Sequence, residues 1–403
     1  MTGIQDIQNK YSPEMALIIL VCRVYFKRAG IDEIDRYVAD NRIDWGLFEQ
    51  IITAHQVRPF IFKVLAEKTA NIPADFLAGL RSNCYQIATG NLRKLEELVR
   101  LHKLFKARGI PNIPYKGVLL SRLLFNDYIS RETSDIDFLI DKKYFSRAHA
   151  IILNEGYKPR FYNPDFEKQF LKSSHELLYR KNSPAGAIKI EMHWAATSNM
   201  MSIPLPDEYL LAGLQTIRLQ GEDIDIFDLQ RHLLILLVHH GVNDVWRTLR
   251  HSIDLAVFIE KYSDAIDWDT FITAAKKYKI NHTTAIGMQI TRQLFGIEIP
   301  GVYRKYNEAP GMILDNLLRF PAIKKRKLNF KSLRQQMFLR DSFMDKIGLL
   351  GAYIYAGITP NVRDMEAYRL PGGWFVLYYF MKPFRIFFKG NKKRPGPATT
   401  AIL

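Results

Sequence analysis

The spacing of apolar positions divides the chain into three stretches. From residue 14 to about 108, apolar side chains recur at helical intervals. Ile51, Ile52 and His55 share a face, and Phe60, Val64 and Leu65 continue it beyond Pro59. Ser82 to Phe105 predicts a long amphipathic helix with Leu92, Leu95, Val99 and His102 on one side, ended by Gly109. The period then changes. Asn112–Tyr115 reads as a short strand, and Gly117 opens a helix to about Phe125. Asp135–Asp141 alternates polar and apolar residues, the period of a half-buried strand. Lys142 to Glu155 is helical and stops at Gly156, and Tyr157–Tyr162, His175–Arg180 and Ile188–Trp194 predict further strands. From about Asp207 the pattern is helical again, broken by Pro and Gly near 296–301, 310–311, 357–360 and 371–373.

The expected fold class is therefore α+β. A small mixed β-sheet core over 110–196 is flanked by an N-terminal helical region, 1–109, and a C-terminal helical region, 197–390. A flexible basic tail, 391–403, follows.

Composition narrows the class. Of 403 residues, 48% are hydrophobic and 24% charged, which fits a globular chain and excludes a disordered one. Lys and Arg total 57 against 41 Asp and Glu, a net +16. That excess favours an anionic partner, whether nucleotide, nucleic acid or acidic membrane, and equally fits a solvated basic surface. The only cysteines, Cys22 and Cys84, have no close-spaced partner, which excludes a disulfide scaffold and a Cys-based zinc site and fits a reducing cytoplasm. The first residues lack the basic-then-apolar order of a signal peptide. The apolar runs Met15–Cys22 and Trp374–Met381 have eight residues each, short of the ~20 that span a bilayer.

The chemistry centres on Ser134-Asp135-Ile136-Asp137-Phe138-Leu139-Ile140. Alternate strand residues share a face, so Asp135 and Asp137 project together while Ile136 and Phe138 face the core. Two carboxylates so close repel each other unless a cation sits between them, and hard oxygen ligands suit Mg²⁺ or Mn²⁺. Alone, such a pair often merely faces water at a strand start. Three features strengthen it. Lys116-Gly117 stands between a short strand and a helix, where backbone N–H groups approach a phosphate and the lysine adds a point charge. Arg131 either reaches a phosphate or pairs with Asp135. The alternating run Ile188–Trp194 brings Glu191, with Lys189 and His193 on its face. On a strand beside the Asp pair, Glu191 completes a three-carboxylate set able to hold two divalent ions for in-line attack on phosphorus.

Lys116-Gly117, Arg131 to Ile140, Gly156-Tyr157 and Glu191-Met192-His193-Trp194 resemble the uncharacterised bacterial nucleotidyltransferase family of the polymerase-β-like superfamily. Members of that family are often encoded beside polysaccharide or modified-peptide biosynthesis genes. The resemblance extends to His55-Gln56-Val57-Arg58-Pro59 and to His239-His240, Trp246-Arg247, Leu249 and Asp254, and so to most of residues 15–390. It implies a short mixed sheet with helices on one side and transfer of a nucleoside monophosphate from a nucleoside triphosphate, with release of pyrophosphate. By position, Asp135 and Asp137 would bind Mg²⁺ or Mn²⁺, and Glu191 would complete the metal site or act as base. Lys116, Gly117, Arg131 and Ser134 would meet the nucleotide. The chain departs from many superfamily members in having Gly117-Val118, without the phosphate-binding hydroxyl there, and a gap of 17 residues between Gly117 and Asp135. Ser121 or Ser134 would supply the hydroxyl.

The acceptor is expected to bear a hydroxyl: a sugar, a lipid-linked sugar or a modified peptide. A toxin-like enzyme acting on RNA or protein and a retired nucleotide-binding or anion-binding fold are the alternatives; nucleic acid is the less favoured partner. His239, Trp246 and Arg247, with Lys189 and His193, are accessory candidates, each balanced against a packing role. Asp254, four residues after Arg250, has the spacing of a helical ion pair. Lys324-Lys325-Arg326-Lys327 with Lys331 and Arg334 reads as a solvated basic face. The aromatic and basic stretch 374–389 is either a membrane-interface helix or a terminal helix docked on its own protein. The expected location is the cytoplasm, with peripheral contact at the inner membrane face if that helix meets lipid.

Overall fold

A computed structural model describes residues 1–67, 71–306, 309–320, 330–368, 370–371 and 373–385. The tail 391–403 and the basic run 324–327 lie outside them. The protein is α+β, mostly helical around a five-stranded mixed sheet. The strands are β1 (Ile113–Pro114), β2 (Ile136–Leu139), β3 (Lys158–Pro159), β4 (Glu176–Lys181) and β5 (Ile188–His193), in the order β1-β2-β5-β4-β3.

Alternation sorts the sheet. Ile136 and Phe138 of β2 and Ile190 and Met192 of β5 are buried together. They pack with Leu98, Leu101 and Phe105 of the helix Ala74–Ala107 and with Ile152 of the helix Phe145–Asn154. The Phe105 ring meets the Phe138 ring edge-on at 5.5 Å. The intervening residues, Asp137, Glu191 and His193, belong to the opposite face. Gly109 and Gly156 take φ of +64° and +80° as the chain leaves those helices.

A second core joins the two helical regions. The helix Pro13–Tyr25, capped by Ser12 accepting a hydrogen bond from the Met15 amide, buries every residue from Glu14 to Arg23. Its neighbours include the helix Asn281–Phe295, where Arg23 Nε donates to the Leu294 carbonyl at 2.8 Å. Residues of the N-terminal and C-terminal helical regions, from Ile7 to Leu339, therefore share one hydrophobic cluster. Met15–Cys22 is thus core, and among the described residues no helix is long and apolar enough to cross a membrane.

The structure differs from the sequence expectation in four places. Tyr157–Tyr162 shrinks to the two residues of β3, and a helix, Glu167–Ser173, follows that the pattern did not announce. The long helix starts at Ala74 and not Ser82. Residues after Asp207 are not all helical: β6 (Leu214–Leu219) and β7 (Glu222–Phe227) form a hairpin whose Leu219, Ile224 and Ile226 enter the sheet's core. Its turn, Gln220-Gly221, has both φ positive, the twist a two-residue hairpin prefers. Last, the stretch from Trp374 docks only in part. Tyr378 is buried against Phe166, while Trp374 and Phe380 stay exposed.

Candidate active site

The parallel pairing of β2 with β5 sets Asp137 opposite Glu191. β5 lies beside β2 although the helix Phe145–Asn154, β3, the helix Glu167–Ser173 and β4 come between them in the chain. Asp135 stands just before β2, half-buried, and accepts a hydrogen bond from the Ser134 hydroxyl at 2.8 Å. His193, fully buried, lies between two of the acids: its Nε2 is 3.2 Å from Asp137 Oδ1 and 3.5 Å from Glu191 Oε2. Its Nδ1 is 3.4 Å from Glu176 Oε2, from the facing position on β4. Lys116 Nζ adds a cation 3.2 Å from Asp137 Oδ1.

Charge sorts these groups. Burial raises the Asp135 carboxyl, and the Asp137 and Glu191 charges add to it, reaching about 6. Burial acts the same way on Asp137, but Lys116 and His193 outweigh it and hold that carboxylate below its usual range. Burial and Lys116 oppose charge on His193; its contacts to Asp137 and Glu191 and the Glu176 charge prevail and carry it to about 9. The imidazole is therefore a cation at neutral pH: Nε2 donates to Asp137, while Nδ1 is buried near the Glu176 carboxylate without a hydrogen bond among the described residues. Burial lowers His175 to about 4, so that ring is neutral.

Gly117 explains the start of the neighbouring helix, Gly117–Phe125. Its φ is +55°, and a Cβ there would stand 2.8 Å from the Asp135 carbonyl oxygen. Only glycine lets the two backbones approach this closely. No side chain caps the helix, so its first amides remain suited to an anion beside the acids. Of the two serines considered for phosphate, Ser121 is fully buried within that helix, whereas Ser134 is exposed next to Asp135. The hydroxyl at 121 faces no open site.

The 17-residue gap is a braced loop. Asn91 Nδ2 donates to the carbonyls of Tyr128 and Arg131, both at 2.8 Å. Arg58 grips Glu132 through its backbone and side chain at 2.8–3.0 Å. Arg131 does not pair with Asp135. Its guanidinium is buried on Asp254, at 2.9–3.1 Å, and Nη1 reaches the Gly117 carbonyl at 3.4 Å. Asp254 in turn accepts from His240 Nε2 at 3.0 Å, so it serves Arg131 and not the expected helical pair with Arg250. Arg250 Nη1 instead donates to the Glu132 carbonyl at 3.2 Å.

A π-helical turn, Val238–Asn243, separates the two adjacent histidines. His240 faces Asp254. His239 lies 6.0 Å, ring to ring, from Tyr115, the residue before Lys116. Burial, then the charges of Lys116 and His193, lower His239 well below its usual value. Its Nδ1 meets Asn243 at 3.1 Å, while Nε2 is buried with no hydrogen-bond partner among the described residues. Trp246 is fully buried, its ring against Gly287 and Gly241, which leaves no face for a stacked base. Arg247 lies within electrostatic range of His251. Lys189 is half-buried on β5, two residues before Glu191, and its charge is felt at Lys94.

Oxygen ligands from Asp137 and Glu191 and a nitrogen of His193 lie within 4.8 Å of one another, a spacing that can enclose a metal ion. The same holds for His175, Glu176 and His193. Sequence reasoning missed Glu176, His175 and the bracing role of Asp254.

The family model of an uncharacterised nucleotidyltransferase family matches residues 41–296, more than half the chain. The protein belongs to that nucleotidyltransferase family. The match holds the sheet, Asp135, Asp137, Glu176, Glu191, Asp254 and the histidine pair. Among solved structures, the chain is similar to an antigenic nucleotidyltransferase-like protein from Paracoccidioides brasiliensis. Identity is 14%, the match covers 53% of this chain and 98% of that one, and the TM-score is 0.32. A likeness that slight adds nothing to the family assignment. Among curated proteins no match was found.

Proposed function

We propose that this nucleotidyltransferase moves a nucleoside monophosphate from a triphosphate to a hydroxyl-bearing acceptor, at a site built on Asp135, Asp137 and Glu191. The observation that carries the reading is the register of Asp137 opposite Glu191, with Asp135 against the Gly117 turn. The acceptor oxygen forms a bond to the α-phosphorus, the bond from that phosphorus to the bridging oxygen breaks, and pyrophosphate leaves. The acceptor proton passes to a base, for which Glu191 is the candidate.

A divalent cation fits the donor set. Asp135 is driven up to about 6 by burial and by its acidic neighbours, a strain that a bound cation would relieve. The hard oxygens suit Mg²⁺ or Mn²⁺, held by Asp135, Asp137 and Glu191. When bound, such ions offset phosphate charge and lower the pKa of an attacking hydroxyl. The chain's own residues do the rest. Lys116, the amides at Gly117 and the Ser134 hydroxyl would meet the phosphates, and His193 holds Asp137 in place. Arg131, occupied by Asp254, acts by steadying the Gly117 carbonyl and not by touching phosphate.

The test is calorimetric titration of each of the four triphosphates with Mg²⁺ into wild type and into an Asp135→Asn, Asp137→Asn variant. Metal-dependent binding of one triphosphate to wild type, lost in the variant, is expected. Binding that survives both substitutions would reject the site, and no binding to folded wild type would favour a retired fold.

A further inference from the structure

Helices of soluble domains turn their apolar stripe inward. The helix Phe343–Ile358 does the reverse. Its inward side is supplied by Asp345, paired with Lys279 at 2.7 Å, and by Leu349, both buried. Outward it presents Phe343 and Ile354, 74% and 56% exposed, with Ile347 and Ile358 on the same stripe. The helix Leu377–Phe384 is joined to it by Lys382, whose Nζ donates to the Ala356 and Thr359 carbonyls. That helix and the turn before it expose Phe380 and Trp374, at 67% and 58%. Thirteen of the twenty-one large apolar side chains exposed among the described residues lie between Phe343 and Phe384. Scattered apolar exposure is ordinary, but concentration on two joined helices marks a docking face.

We propose that this face lies on the surface of an anionic membrane. Charge favours lipid over a second copy: beyond the helix the sequence runs through Lys389, Lys392, Lys393 and Arg394 with no acid, on a chain of net +16. Two copies of a chain of net +16 would repel each other, whereas an anionic surface attracts it. Aromatic composition agrees, since Trp374, Tyr355 and Tyr379 combine an apolar body with a polar edge, as interfacial residues do. The 16-residue helix Phe343–Ile358 is ~24 Å long and does not cross a bilayer, so contact is parallel to the surface. This inference does not depend on the nucleotidyl site.

The experiment is co-sedimentation of the full chain with vesicles of phosphatidylcholine alone or mixed with phosphatidylglycerol. Wild type should sediment with the anionic vesicles, less with the neutral ones, and less again at high salt. Ile354→Asp and Phe380→Asp should each weaken partition roughly tenfold or more, because a charge replaces a buried apolar group. Both sites are exposed, so melting temperature and circular dichroism should match wild type, and Phe380→Ala provides a milder check. Wild type remaining in the supernatant with anionic vesicles would overturn the proposal, as would folded variants that sediment like wild type. A lipid-indifferent dimer dispersed by Ile354→Asp would also overturn it and assign the face to a second copy.

Discussion

Two aspartates joined through Arg131 and Gly117 have opposite fates. Asp254 is fully buried and fully served: Arg131 forks onto it through Nε and Nη2, and His240 adds a further hydrogen bond. Burial alone would raise its pKa, but Arg131 and His240 bring it down to about 2. Asp135 has the Ser134 hydroxyl for company and two other carboxylates for neighbours, and it rises to about 6. The Asp254 carboxylate is balanced by its own neighbours. Asp135 is held in a state that a cation improves. A buried carboxylate is thus structural or chemical according to what its neighbours leave unbalanced.

Substitutions should separate the two clusters. The largest effect is on turnover: Asp137→Asn should lower nucleotidyl transfer by roughly a thousandfold or more with the fold retained, measured as pyrophosphate release. Asp254→Asn should act on stability instead. It leaves Arg131 buried beside a neutral group, at a cost of about 3–5 kcal/mol in denaturant unfolding. The depressed Asp254 carboxyl contributes stability above its unfolded value of ~3.9, and this is lost as pH falls toward 2.

Asp135→Asn should have the opposite sign. A carboxyl raised in the folded state opposes folding at neutral pH, so its removal should stabilise the protein by about 1–2 kcal/mol at pH 7. The gain should fade as pH drops through 6 toward 4, where wild-type Asp135 is protonated as well. Equal melting temperatures at pH 7 would mean that Asp135 is not strained. The smallest effect belongs to Ser134→Ala. Loss of its hydrogen bond should raise the Asp135 pKa further and shift the acid limb of the pH–rate profile upward by a fraction of a unit.

Much of the candidate site's geometry was readable because its information is local. Period two alone puts Asp135 and Asp137 on one face, and it does the same for Glu191 and His193. Gly117 before a helix signals close backbone approach. The parallel neighbourhood of β2 and β5 was not local, since the segment between them contributes two other strands and two helices, Phe145–Asn154 and Glu167–Ser173. Asp254 was misread for the same reason. Spacing pointed to Arg250, whereas its partner Arg131 lies 123 residues away in sequence. The β6–β7 hairpin was locally readable and was overlooked: two alternating runs flank Gln220-Gly221. Trp246 shows the limit of residue type, because a Trp-Arg pair suits base stacking, yet the ring fills the space beside Gly287. The outward stripe of Phe343–Ile358 has a helical period like that of any buried helix, and only the fold reveals which way it faces.

The central claim is that Asp135, Asp137 and Glu191 hold a divalent cation for a triphosphate. The most direct measurement is Mn²⁺ binding, followed by loss of the free-ion electron paramagnetic resonance signal, with and without a non-hydrolysable triphosphate. Wild type should withdraw Mn²⁺ from solution more tightly when the triphosphate is present, and Asp137→Asn should not, while Asp254→Ala that remains folded should bind as wild type does. Equal Mn²⁺ uptake by wild type and Asp137→Asn would contradict the account.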